Sequence, residues 1–212
     1  FGEHKTDDAD GRPVATDIMK YSEAEIERIG RIGFETARKR NHRLCSVEKS
    51  NVLDTSRLWK KVMHRLAEEY TDVELTDMLV DNCAMQIVKN PAQFDVIVTE
   101  NMFGDILTDE ASVISGSLGM LSSASVGAEV ALFEPIHGSY PQAAGQNIAN
   151  PMATILSAAM LLEHLGLDAE GRAVRRAVDR ALAEGVVTED LAAPGEKALS
   201  TSEVGDYVAS QI

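Results

Sequence analysis

The chain has 212 residues, 44% of them apolar and 25% charged, enough to bury a sizeable core in one large domain or two small ones. A net charge of −14 argues against the basic surface that nucleic acid or an anionic membrane requires, and no apolar run is long enough to span a bilayer. The two cysteines, Cys45 and Cys83, have no neighbouring histidines; they make neither a disulfide framework nor a zinc signature and read as small buried hydrophobes of a reduced, cytoplasmic protein.

In chain order, residues 1–20 are polar, contain Pro13 and read as an extended arm. The chain opens abruptly on Phe1 with neither methionine nor signal peptide, as though cut from something longer. Ser22 and Glu25 fit a capping box, and Ile26, Ile29, Gly33 and Ala37 follow helical spacing until the basic Arg38-Lys39-Arg40. Arg43 to Val47 reads as a strand. Asp54-Thr55-Ser56 caps a second helix with Leu58, Val62 and Leu66 on its apolar stripe. Val73 to Val80 is strand-like, Asp81 opens a short helix, Phe94 to Thr99 is a strand, and a helix carrying Asp105 follows. From about Gly116 the texture changes to small residues, Gly116 to Gly119 and Ser122 to Ser125. Next comes a loop with several backbone donors from Phe133 to Pro141. Asn150-Pro151 starts a helix to about Leu165 that is apolar on nearly every face and is expected to be buried. Asp168 to Glu184 forms another helix, ended by Gly185, and an amphipathic helix closes the chain. Alternation of strand and helix predicts an α/β fold, in which ligands gather at the carboxyl ends of strands.

Lys49, Asp81 and Asp105 each fall just after a predicted strand. Asp105 and Asp109, one helical turn apart, share a face and repel each other unless a cation lies between them. With Asp81 they could form a carboxylate cluster for a hard ion such as Mg²⁺ or Mn²⁺. Taken singly, the aspartates also fit a solvated helix start or an N-cap. A lysine beside a metal can act as acid or base; alone, Lys49 equally reads as a surface residue paired with Glu48. His137, flanked by Gly138 and Ser139, sits in a loop whose N–H groups can hold a phosphate or adenine, or is a turn histidine. Neither G-x-G-x-x-G nor the P-loop pattern occurs, so a dinucleotide would bind without the Rossmann fingerprint.

The segment Thr99-Glu100-Asn101-Met102-Phe103-Gly104-Asp105-Ile106-Leu107-Thr108-Asp109-Glu110 resembles the metal signature of the β-decarboxylating 2-hydroxyacid dehydrogenases, the group acting on 3-isopropylmalate, isocitrate, homoisocitrate and tartrate. Ser46 to Asn51, Val80 to Met85 and Glu134 to Ser139 match in the same order at compatible spacings, and Gly116 to Ser125 resembles the isopropylmalate branch. The resemblance runs essentially from Phe1 to Ile212. It implies a two-domain, non-Rossmann α/β fold, incomplete at the N-terminus. Residues 1–115 would form the substrate, metal and dimerisation domain, and 116–212 the C-terminal part of the cofactor domain.

The resemblance also implies roles. Asp105 and Asp109 bind Mg²⁺ or Mn²⁺ on one subunit of a homodimer, and Asp81 and the general base Lys49 complete the site from the partner. Glu134, His137, Gly138, Ser139, Gly145 and Asn150 hold NAD, with Asn51 toward the nicotinamide. The arm pairs with its twin, and helices starting at Asp81 and Gly104 form an intersubunit bundle. The implied reaction is oxidative decarboxylation of a 2-hydroxy dicarboxylate, 3-isopropylmalate by the branch signature, as in leucine biosynthesis. A sister substrate or a non-catalytic homologue are the alternatives, and neither nucleic acid nor membrane is an expected partner. The family's tyrosine acid and substrate arginines would precede Phe1, so this stretch alone is expected to be inactive. Gln142 stands where many relatives place an acid toward the adenosine ribose. No Lys or Arg lies in residues 134–150 to hold a 2′-phosphate, which favours NAD over NADP.

Overall fold

The computed structural model describes residues 4–9 and 12–212. The chain divides into two compact units, Phe1–Glu110 and Ala111–Ile212. In the first unit the polar arm is an antiparallel hairpin of β1 (His4–Ala9) and β2 (Arg12–Asp17), with His4 opposite Asp17. Positions 1–3 and 10–11 of the expected arm lie outside the described residues.

Helix α1 (Glu23–Arg38) starts at the predicted capping box: the Ser22 hydroxyl accepts from Glu25 N, and the Glu25 carboxylate accepts from Ser22 N at 2.7 Å. Its buried stripe is Ile26, Gly30, Gly33, Phe34 and Ala37. Ile29 was expected on that stripe but is exposed, because the helix turns its glycines toward its neighbours. A Cβ on Gly30 would lie 2.6 Å from Leu66 Cδ1, and one on Gly33 would lie 3.3 Å from Val98 Cβ. Strand β3 (Arg43–Glu48) is followed by α2 (Asp54–Ala67), β4 (Glu74–Leu79), α3 (Val80–Lys89), β5 (Val96–Val98) and α4 (Asn101–Ser115), which runs across the division between the units.

The sheet has the order β4-β3-β5, all parallel, so the three carboxyl ends share one edge. Leu44 and Val98 pack with Ile26, Phe34, Trp59, Val62, Met63 and Leu66 into the unit's core. Several boundaries differ from expectation: β5 holds only Val96–Val98 of the expected Phe94 to Thr99, and α3 starts at Val80, one residue before Asp81. Asp54 is the first residue of α2 rather than part of its cap, and the N-cap, Leu53, makes no side-chain cap bond. The hydroxyl of Ser56, part of the expected cap, accepts instead from Lys49 N at 2.9 Å. Helix α4 begins at Asn101, one turn before the expected Gly104, because Glu100 caps it.

In the second unit, β6 (Ser122–Val126) and β7 (Ala131–Pro135) pair antiparallel with Ser123 opposite Glu134. The expected loop from Phe133 therefore begins only after Pro135. Beyond it Ile136 N still donates to Leu121 O at 3.1 Å. Helices α5 (Met152–His164), α6 (Asp168–Ala183) and α7 (Thr201–Ser210) complete the unit. Gly185, in the left-handed region at φ 69°, follows α6 as predicted. Their core is Met152, Ala177, Val178, Ala181, Val187, Val204 and Val208. Helix α5 is not buried all round: Met152, Ala153, Ser157 and Ala159 are buried, whereas Leu161 is exposed. Among the described residues, no helix is long and apolar enough to cross a membrane.

Candidate active site

Alternation along β3 decides which side chain goes where. Leu44, Ser46 and Glu48 share one face of the strand, while Cys45, Val47 and Lys49 share the other. On the first face Trp59 Nε1 donates to Ser46 Oγ at 3.0 Å. Glu48 is only 2% exposed and folds back onto the following turn, accepting from Ser50 N and, at 3.0 Å, from Ser50 Oγ. It does not pair with Lys49. On the other face Lys49 Nζ donates to Asp81 Oδ1 at 2.6 Å, across the carboxyl ends of adjacent parallel strands. This hydrogen bond, more than any other influence, holds the Asp81 carboxyl below the usual aspartate range. Asn51 is exposed in the turn beyond Lys49, where the N–H groups of Val52 and Leu53 both return to Lys49 O.

Helix α4 presents Asp105 and Asp109 on an exposed face, while Phe103 and Leu107 are buried on its opposite side. Among the described residues, no three His, Cys, Asp or Glu side chains converge as a metal-binding group. Asp81 therefore does not join Asp105 and Asp109 within a single chain. Cys45 and Cys83 are free and buried, and burial pushes the Cys83 thiol up to about 12, so neither offers a ready nucleophile.

In the second unit a cavity of about 660 Å³ is lined in part by Leu118, Gly119, His137, Gly138, Asn150 and Asp190. Of the expected cofactor residues, His137, Gly138 and Asn150 line it. Glu134 is exposed on β7, and Ser139 and Gly145 are exposed in the loop outside the lining. His137 Nδ1 lies 3.0 Å from Gly138 O, and its buried Nε2 has no hydrogen-bond partner among the described residues. A buried unpartnered ring nitrogen beside a cavity is open to a ligand's hydrogen bond.

Asp190 is the residue that sequence reasoning missed. Its carboxylate accepts from Ser117 Oγ, from Asn150 Nδ2 at 3.0 Å and from Thr188 Oγ1 at 2.5 Å. Desolvation by these neighbours pushes its pKa up, but their hydrogen bonds outweigh it and hold the carboxyl below the ordinary aspartate value. Asn150, so oriented, turns its Oδ1 to Met152 N at 2.9 Å and starts α5. At the other end of the loop, Asn147 binds Ser202, with Nδ2 donating to Ser202 Oγ at 2.7 Å. No short sequence pattern links Asp190 to Ser117 and Asn150, so no local signal could have found it.

The first unit thus carries a lysine–aspartate pair at the carboxyl edge of its parallel strands, and the second a cavity lined by His137 and Gly138. The sequence profile of the isocitrate/isopropylmalate dehydrogenases matches residues 1–208, and the chain belongs to that family. The 3-isopropylmalate dehydrogenase of Desulfitobacterium hafniense (strain Y51) is 57% identical over 201 residues, which cover 94% of this chain and 57% of that protein. The 3-isopropylmalate dehydrogenase of Carboxydothermus hydrogenoformans is 51% identical over 214 residues, covering 100% of this chain and 57% of that protein. Among solved structures, isocitrate dehydrogenase from Methylococcus capsulatus superposes with a TM-score of 0.92 at 37% identity, over 99% of this chain and 62% of that one. The chain thus spans a little over half the length of the curated relatives it matches.

Proposed function

We propose that the protein carrying this chain is a cytoplasmic, NAD-dependent, decarboxylating 3-isopropylmalate dehydrogenase of leucine biosynthesis. It converts its substrate to 2-oxoisocaproate and CO₂ as a homodimer with shared active sites. The observation that carries this reading is the Lys49–Asp81 pair at the carboxyl edge of the sheet, in a chain so similar to relatives of that name.

Asp81, Asp105 and Asp109 offer only carboxylate oxygens, the donor set that suits Mg²⁺ or Mn²⁺. They do not converge within one chain, so Asp81 and Lys49 of one protomer are assigned to a site with Asp105 and Asp109 of its partner. Exposed apolar side chains on α3 (Met85, Val88) and α4 (Met102, Ile106) supply a surface for that pairing, with the β1–β2 arm against its twin. The cavity fits the adenosine half of NAD. Among the described residues His137 Nε2 has no hydrogen-bond partner, Leu118 and Ile148 are apolar lining, and no Lys or Arg lies among the lining residues to select a 2′-phosphate. Glu134, Ser139 and Gly145 border the same loop, and Asn51 is assigned to the nicotinamide end.

A bound divalent ion would polarise the substrate's 2-hydroxyl as a Lewis acid, and NAD would accept the hydride. Lys49 Nζ takes the hydroxyl proton, and Asp81 holds that Nζ at the strand end. A sister substrate is the second reading, favoured by the high TM-score to an isocitrate dehydrogenase.

NADH formation by the whole protein, with Mg²⁺, on 3-isopropylmalate and isocitrate side by side tests the proposal. Preference for 3-isopropylmalate is expected. Preference for isocitrate would overturn the substrate and keep the roles of the side chains, and silence on both would overturn the assignment.

A further inference from the structure

Glu100 is 7% exposed, and among the described residues no lysine or arginine is one of its hydrogen-bond partners. Burying a carboxylate is costly unless hydrogen bonds compensate it. Here the compensation comes from the start of α4. Met102 N donates to Glu100 Oε2 and Phe103 N to Oε1, each at 2.9 Å. Tyr21 Oη donates to Oε2 at 2.7 Å and also accepts from Asn101 N at 3.4 Å. Gly104 N donates to Glu100 O at 2.9 Å. Three of the N–H groups that a helix start leaves without internal partners, those of Asn101, Met102 and Phe103, are thereby satisfied by one tyrosine–glutamate pair, and Gly104 N makes the first bond of the helix ladder. A negative charge at that end also complements the helix dipole.

Thr99 Oγ1 donates to Val47 O at 2.8 Å, so the segment entering α4 is also tied to β3. Asp105 is the fifth residue of α4, immediately beyond the four pinned N–H groups. Phe103 and Leu107 hold the opposite side of the helix in the interior. The azimuth of Asp105 and Asp109 about the helix axis is thus set by the first turn, and the first turn is set by Glu100 and Tyr21. Tyr21 stays protonated at any working pH: burial first, then the bond to Glu100, raises its pKa to about 12.

We infer that Glu100, with Tyr21, is a positioning residue for the metal carboxylates, locking the rotation and start of α4 so that Asp105 and Asp109 meet the ion in fixed directions. This rests on the reading of Asp105 and Asp109 as metal ligands. The role requires an acceptor-only group: a carboxamide would set an N–H₂ against Met102 N, Phe103 N or Tyr21 Oη.

The test is a titration of the whole protein with Mn²⁺ alone, following the free ion by electron paramagnetic resonance, with folding checked by circular dichroism. Glu100→Gln is expected to weaken Mn²⁺ binding on the order of tenfold, as loss of groups that orient metal ligands does, while the fold is kept. Tyr21→Phe is expected to weaken it in the same direction by less. Wild-type affinity in a folded Glu100→Gln variant would overturn the inference. Should that variant not fold, wild-type affinity in Tyr21→Phe would overturn it. Asp105→Asn separates the two ideas. If it loses Mn²⁺ while Glu100→Gln does not, the positioning role fails and the metal reading stands. If Asp105→Asn binds Mn²⁺ like the wild type, the metal reading fails and the positioning role with it.

Discussion

Asp190 shows how one side chain can organise a pocket without a motif. Its three donors come from Ser117, Asn150 and Thr188, and each bond is made to the charged form. The folded-state pKa is therefore depressed below that of the unfolded chain. The stabilisation is fully present at pH values above the ordinary aspartate pKa and is lost as pH falls through the lowered folded value. Thermal melts of Asp190→Asn and wild type should differ at neutral pH and converge in strong acid. A constant difference across that range would show that the charge of Asp190 contributes nothing. Glu48 teaches a related lesson at the same scale. It stands next to Lys49, yet the alternation of β3 sends the two side chains to opposite faces, so Lys49 finds Asp81 rather than its neighbour.

Among elements, the capping boxes and the glycines carry the clearest consequences. Helix α1 approaches α2 where Gly30 meets Met63 and Leu66, both fully buried. A methyl group there would lie 2.6 Å from Leu66 Cδ1 and 2.9 Å from Met63 Sδ. Gly30→Ala should therefore lower stability by about 1–3 kcal/mol through overpacking, despite alanine's better helix propensity. Gly205 in α7 is the contrasting case, since an added Cβ there meets nothing within 4 Å. Gly205→Ala should raise stability by about 0.5–1 kcal/mol, because only the backbone-entropy gain remains. Denaturant titrations of the two variants check both signs at once.

The capping boxes at Ser22–Glu25 and Ser200–Glu203 are local in sequence, and the first is legible from the residue types and their spacing alone. The start of α4 is not. Its cap is a glutamate whose third bond comes from Tyr21, 79 residues away.

For the whole molecule, the decisive consequence is that, among the described residues, one chain does not bring the three aspartates together. If Lys49 and Asp81 work with Asp105 and Asp109 of a second copy, two dead variants should rescue each other. Lys49→Met mixed with Asp105→Asn, after subunit exchange, should recover about one quarter of wild-type activity. Half of the dimers are then mixed, and each has one intact site out of two. No recovery after demonstrated exchange would overturn the shared site.

Alternating strands and helices, the Lys49 and Asp81 strand ends and the Ser22 capping box were written in the sequence, because hydrophobic period and capping chemistry act over a few residues. The family's ordered motifs added the dehydrogenase reading, since matching segments spread along the whole chain are far more specific than any one of them. Only the tertiary structure decided that Ser122 to Val126 and Ala131 to Pro135 pair as strands. It alone brought Ser117, Asn150 and Asp190 together, and set Tyr21 on Glu100. Those contacts join residues far apart in the chain. Burial and hydrogen-bond satisfaction selected them only once the helices and sheet had closed around them.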